Sequence, residues 1–177
     1  MENISSLAIA PDRVREQTAL APLLEQTEGL IVDLLTGLLK VPITVRPLSQ
    51  QRDTVGLVRK TLLETAEFPL YLAVTVVRHL PETRALVTTM ERSPTMPFGA
   101  ALGKHKLYGH KAGLSIRRIA YLPQYQELFG IDGDVRAVWT RSYGIISPKQ
   151  KRVAGVTEIF SPKLEAVLQQ LSMTANG

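Results

Sequence analysis

The sequence predicts a single α+β domain: an antiparallel sheet of about six strands with flanking helices and helical flaps. Three observations predict it. Six segments between Val41 and Phe160 are rich in β-branched and apolar residues with strand-like alternation. Consecutive segments are joined by short turn-like links, as antiparallel hairpins require. The remaining apolar periodicity is helical and falls in short stretches, several of which begin at a proline. The 177 residues suit one domain and leave little room for two.

Residues 1–10 read as a loose N-terminal arm, and the domain is taken to span 1–177. From Leu20 the apolar residues Leu20, Leu23, Leu24, Leu30, Ile31, Leu34, Leu35 and Leu38 follow helical spacing, with Gly29 a break between two short helices. Strands are predicted over Val41–Pro47, Thr54–Glu64, Pro69–Val77, Leu114–Leu122, Asp134–Ser147 and Arg152–Phe160. Residues 64–68 and 147–151 read as turns. Helices are predicted over Pro81–Glu91, Pro97–Leu102 and Pro123–Phe129, and over Leu164–Leu171 after Pro162. No internal repeat and no Gly/Ser/Pro-rich linker divides the chain.

Apolar residues make up 45% of the chain and charged residues 21%, which excludes disorder or low complexity as a description of the whole. There is no cysteine, hence no disulfide framework, thiolate nucleophile or cysteine-ligated metal. The longest apolar stretch, Gly29–Leu39, carries Asp33 and is too short to span a bilayer. The N-terminus lacks the basic-then-apolar pattern of a signal peptide, so a cytoplasmic location without membrane insertion is expected. A net charge of +5 favours anionic partners without choosing among them.

Strand parity carries the most information. Residues two apart on a strand share a face. Arg59 lies with Val55, Leu57 and Leu63; Glu158 with Ala154, Val156 and Phe160; Arg141 with Val135, Ala137, Trp139, Tyr143 and Ile145. Each is a lone charge in an apolar row, and a buried charge is costly unless paired. Two arginines and one glutamate leave excess positive charge that an anionic ligand would satisfy, and the guanidinium fork suits a carboxylate. Glu158 beside such a ligand becomes a candidate for proton transfer. A snorkelling or edge arginine, and a purely structural Arg–Glu pair, remain open on parity alone.

Other signals are weaker. The basic stretch Lys104, Lys106, Lys111, Arg117 and Arg118 accompanies no nucleic-acid motif, so no nucleic-acid partner is expected. His105 and His110 lack nearby acidic or cysteine ligands, so no metal site is expected. Gly99–Gly103 lacks the Gly-Lys-Ser/Thr ending of a phosphate loop. No long exposed apolar stripe is evident, and a monomer is the default.

Several of these segments, taken in order, resemble the chorismate lyase family (chorismate pyruvate-lyase, 4-hydroxybenzoate synthase). They are Val41-Pro-Ile-Thr-Val45 after a helical hairpin, Leu57-Val-Arg59, Leu72-Ala-Val-Thr-Val-Val77, Pro97-Phe-Gly99, Trp139-Thr-Arg141 and Val156-Thr-Glu-Ile-Phe160. The resemblance runs from about Leu20 to Pro162. It implies a six-stranded antiparallel sheet with helical flaps over an internal site. It also implies a cofactor-independent lyase that eliminates pyruvate from chorismate to give 4-hydroxybenzoate for quinone or phenolic-lipid synthesis. Carried across, Arg59 would bind a carboxylate and Glu158 would meet the hydroxyl end of the product. Leu30 and Phe98 would add backbone and apolar contacts, and Arg141 would be a candidate for the second carboxylate. Two departures stand: Val74 occupies a position where some members have arginine, and the flap helix starts Glu28-Gly29-Leu30-Ile31.

The alternative is a non-catalytic small-molecule sensor of the same fold, as in effector-binding domains of transcription regulators. Those proteins normally carry an N-terminal DNA-binding domain, whereas the residues before the first strand here resemble the lyase hairpin.

Overall fold

The computed structural model describes residues 19–27, 31–131 and 134–175. Its centre is one six-stranded sheet in the order β1-β2-β3-β6-β5-β4. The strands are β1 (Thr44–Arg52), β2 (Gly56–Glu64), β3 (Pro69–Arg78), β4 (His110–Ala120), β5 (Ala137–Ile146) and β6 (Arg152–Phe160). Every neighbouring pair is antiparallel. Among the described residues the helices are α1 (Leu20–Gln26), α2 (Ile31–Leu39), α3 (Arg84–Arg92), α4 (Phe98–Lys104), α5 (Pro123–Phe129) and α6 (Pro162–Ala175). None of them is long and apolar enough to cross a membrane.

The hairpin turns follow from local chemistry. Between β1 and β2, the Asp53 carboxylate accepts the backbone N–H groups of Val55 and Gly56 at 2.8 and 2.9 Å, an Asx turn. Gly56 is required there because a Cβ would stand 1.8 Å from the Val77 carbonyl oxygen. Between β2 and β3, the Thr65 hydroxyl accepts from the N–H groups of Glu67 and Phe68. These turns set a register that lines inner-face residues up in rows across the sheet.

Two rows are apolar: Leu57–Val77–Ala154–Ile145, and Leu63–Tyr71–Phe160. Two rows lie between them: Arg59–Thr75–Val156–Tyr143, and Thr61–Ala73–Glu158–Arg141. The first apolar row packs under α3 and α4 with Leu86, Val87, Met90, Ala101 and Leu102. The second packs under α1, α2 and α6 with Leu20, Leu24, Ile31, Leu35, Leu164 and Leu168. The helices thus form two separate roofs on one face, and the polar rows run along the seam. On the outer face α5 covers Leu62, Leu72, Val138 and Ile159 through Phe129.

Differences from the sequence reading fall mainly on the two edge strands. β1 was expected at Val41–Pro47 but runs Thr44–Arg52, through Pro47 and a bulge between Pro47 and Ser49. An edge strand tolerates proline because one side of its backbone needs no partner. β4 was expected at Leu114–Leu122 but starts at His110, and a register shift between Ala112 and Ser115 includes Gly113 at φ +64°. That shift broke the alternation and hid the strand within the basic stretch. The charges there are what keeps an exposed edge from pairing with other chains. The expected 1–10 arm lies outside the described residues.

A candidate anion site in the seam between the two helical roofs

β2 places Arg59 on the inner face, opposite Thr75 of β3, at 2% exposure. Its Nη2 donates to the backbone carbonyls of Pro94 and Met96, the latter at 3.0 Å, which pins the α3–α4 loop. Its Nε and Nη1 are buried without a hydrogen-bond partner. Among the described residues no carboxylate lies within ion-pair distance of it. Burial with no counter-charge lowers its pKa from the ordinary arginine value.

β5 and β6 bring the other two predicted charges together. Arg141 and Glu158 are register partners, 0% and 3% exposed, and Arg141 Nε donates to Glu158 Oε2 at 2.6 Å. Tyr143 Oη donates to the other carboxylate oxygen at 3.0 Å. Burial pulls the Arg141 pKa down, but Glu158, aided by Tyr143 and Tyr71, outweighs it and the net direction is upward. Burial followed by the Glu158 charge raises the Tyr143 pKa, so its hydroxyl stays a donor. Arg141 Nη1 and Nη2 remain buried and unpartnered.

Lys111 of β4 adds a further cation. Its Nζ sits 4.7 Å from the Tyr143 ring centroid and donates to the Thr27 carbonyl at the end of α1. Burial and then Arg141 lower its pKa from 10.5 to about 8, against the pull of Glu158. The sequence reading leaves it within a basic stretch taken as a solvated face or a funnel for a small anion, and the register shift beside it hides its place on the strand. Tyr143 was visible in the Arg141 row but was not singled out.

Arg59, Tyr143 and Glu158 border a cavity of about 50 Å³, lined also by Thr61, Ala73 and Thr75 from the sheet and by Ile31, Val32 and Pro97–Gly99 from the helical side. Phe98 therefore stands at the cavity wall, as does Arg59 opposite the Glu158 side. Arg141 stands behind Glu158 as its ion-pair partner and does not line the cavity itself. Leu30 lies outside the described residues. Val74 faces the opposite side of the sheet, in a groove with Val76 and Thr157, so an arginine at this position would not reach the cavity. Among the described residues no cluster of His, Asp or Glu could hold a metal ion.

Comparison with known proteins supplies the fold and corrects one expectation. No family model and no curated protein matches the sequence. Among solved structures, the chain is similar to PhnF from Mycobacterium smegmatis, with a TM-score of 0.63 and 10% identity over 78% of this chain and 66% of that one. It is also similar to the effector domain of that PhnF, with a TM-score of 0.57 and 10% identity over 76% and 90% of the two chains. A third similar structure is the ligand-binding domain of a protein assigned to the GntR family of transcriptional regulators, from Bordetella bronchiseptica. There the TM-score is 0.57 and the identity 11% over 68% and 83% of the chains. The sheet and its helices have the chorismate lyase-like fold that these domains share. The expectation of an enzyme, a chorismate lyase, is overturned by these matches to an effector domain and to the ligand-binding domain of a GntR-family transcriptional regulator. Both Glu158 oxygens accept hydrogen bonds, one from Arg141 and one from Tyr143.

Two predictions follow from the geometry. Glu158→Gln strips Arg141 of its counter-charge in a buried site and is expected to cost about 3–5 kcal/mol in urea unfolding; a loss below about 1 kcal/mol would contradict the pairing. Lys111 binds its proton less tightly folded, at about 8, than unfolded, near 10.5. The unfolded chain then holds more protons in that window, so stability rises with pH between those values. Unfolding curves of wild type and Lys111→Met across the window should diverge, with the rise smaller in the variant.

Proposed function

We propose that this chain is a non-catalytic sensor domain that binds a small anionic metabolite in the seam and passes its occupancy to a partner module, such as a DNA-binding domain. The observation that carries this reading is Arg59: a buried guanidinium with two unused donors and, among the described residues, no counter-charge, in the wall of a cavity. A buried, uncompensated cation is destabilising, and an anion that accepts from Nε and Nη1 relieves it. The similar ligand-binding and effector domains support the same reading.

The expected ligand class is a carboxylate with an apolar or aromatic body, matching Arg59 at one end and Phe98, Ile31 and Val32 around it. Chorismate and 4-hydroxybenzoate belong to this class, as ligands and not as substrate and product. At about 50 Å³ the cavity holds only a few waters. An aryl-sized occupant therefore moves α2 and the Pro97–Phe98 turn apart. Such a displacement is a route for signalling, because the α3–α4 loop hangs on the same arginine.

Calorimetry with benzoate and 4-hydroxybenzoate tests the reading. Binding is expected, and Arg59→Met should weaken it by about ten- to a hundredfold, the worth of a charge-assisted hydrogen bond of roughly 1.5–3 kcal/mol. Incubation with chorismate should release no 4-hydroxybenzoate. Turnover of chorismate, or unchanged benzoate affinity in Arg59→Met, would overturn the proposal.

A further inference from the structure

Directly across from Arg59 in the β1–β2 register stands Gln50, on the same inner face. Its amide Nε2 donates to the Met90 carbonyl of α3 at 3.4 Å. Its carbonyl oxygen, Oε1, is buried and has no hydrogen-bond partner. Opposed residues of an antiparallel pair have Cβ atoms only about 4.5–5.5 Å apart. Two unused donors of Arg59 and one unused acceptor of Gln50 thus belong to side chains that oppose each other across β1 and β2, Gln50 standing just outside the cavity lining that includes Arg59.

We propose that these groups form one subsite, and that the ligand carries a hydroxyl beside its carboxylate: a 2-hydroxy acid. This rests on the sensor reading above and refines it. Arg59 Nε and Nη1 donate to the carboxylate, and Gln50 Oε1 accepts from the adjacent hydroxyl. An amino group in its place would be a weaker match. As an ammonium it would add positive charge beside an arginine that has no counter-ion among the described residues. A neutral hydroxyl satisfies the acceptor without that repulsion. Leaving a buried acceptor unpaired is what a site uses to reject an analogue that lacks the donor.

The test compares mandelate, phenylacetate and phenylglycine by calorimetry on the full chain. Wild type is expected to bind mandelate about tenfold more tightly than phenylacetate, and phenylglycine more weakly than mandelate. Gln50→Leu should bind mandelate and phenylacetate equally, with phenylacetate affinity retained. Gln50→Glu, which places a carboxylate beside Arg59, should lose affinity for both while unfolding at a higher urea concentration. Equal binding of mandelate and phenylacetate by wild type would overturn the hydroxyl subsite and leave the sensor reading standing. A preference for mandelate that survives in Gln50→Leu would overturn the role of Gln50. If wild type binds neither acid, the sensor reading fails and the subsite with it.

Discussion

A guanidinium buried without a carboxylate is the constraint around which this molecule is arranged. Arg141 has its counter-ion and Arg59 does not; the two differ in that respect although both are almost fully buried. Removing an arginine from water costs several kcal/mol, and the backbone carbonyls of Pro94 and Met96 offset only part of that. The fold carries this cost where a cavity also lies. Strain of this kind, stored at one place and supported by a well-packed remainder, is characteristic of a binding site.

The sheet makes such a place available through the way its helices divide. α3 and α4 close one end of the inner face, while α1, α2 and α6 close the other, each over its own apolar row. Two rows in the middle are left with hydroxyls and charges. Ala73 and Thr75 keep the floor low between the long side chains of Arg59 and Glu158. Because the seam is where two independently packed roofs meet, a ligand there touches both. Arg59 itself holds the α3–α4 loop, and Lys111 holds the end of α1.

Much of this was legible in the sequence. The central strands β2, β3, β5 and β6 follow from alternation, and parity put Arg59, Arg141 and Glu158 each on the apolar face of its own strand, which the register then joins into one face. Their grouping reflects the fixed two-residue period of a strand. What parity could not supply was the pairing. Only the register shows that Arg141 meets Glu158 while Arg59 lies a row away and two strands over from Glu158. The edge strands were read less well because their bulges reset the period at Pro47/Ser49 and Ala112/Ser115. Gln50 and Lys111, each on one of those strands, were missed for the same reason. The resemblance to chorismate lyases led to the correct fold and to the wrong activity, since a fold carries no reaction with it.

Nitrogen-15 NMR of the arginine side chains, titrated with benzoate, addresses the uncompensated cation most directly. The account predicts a saturable shift of the Arg59 Nε–H signal, with exposed arginines such as Arg46 unmoved. An Arg59 signal that stays in place, or that moves only in step with every surface arginine, would contradict it.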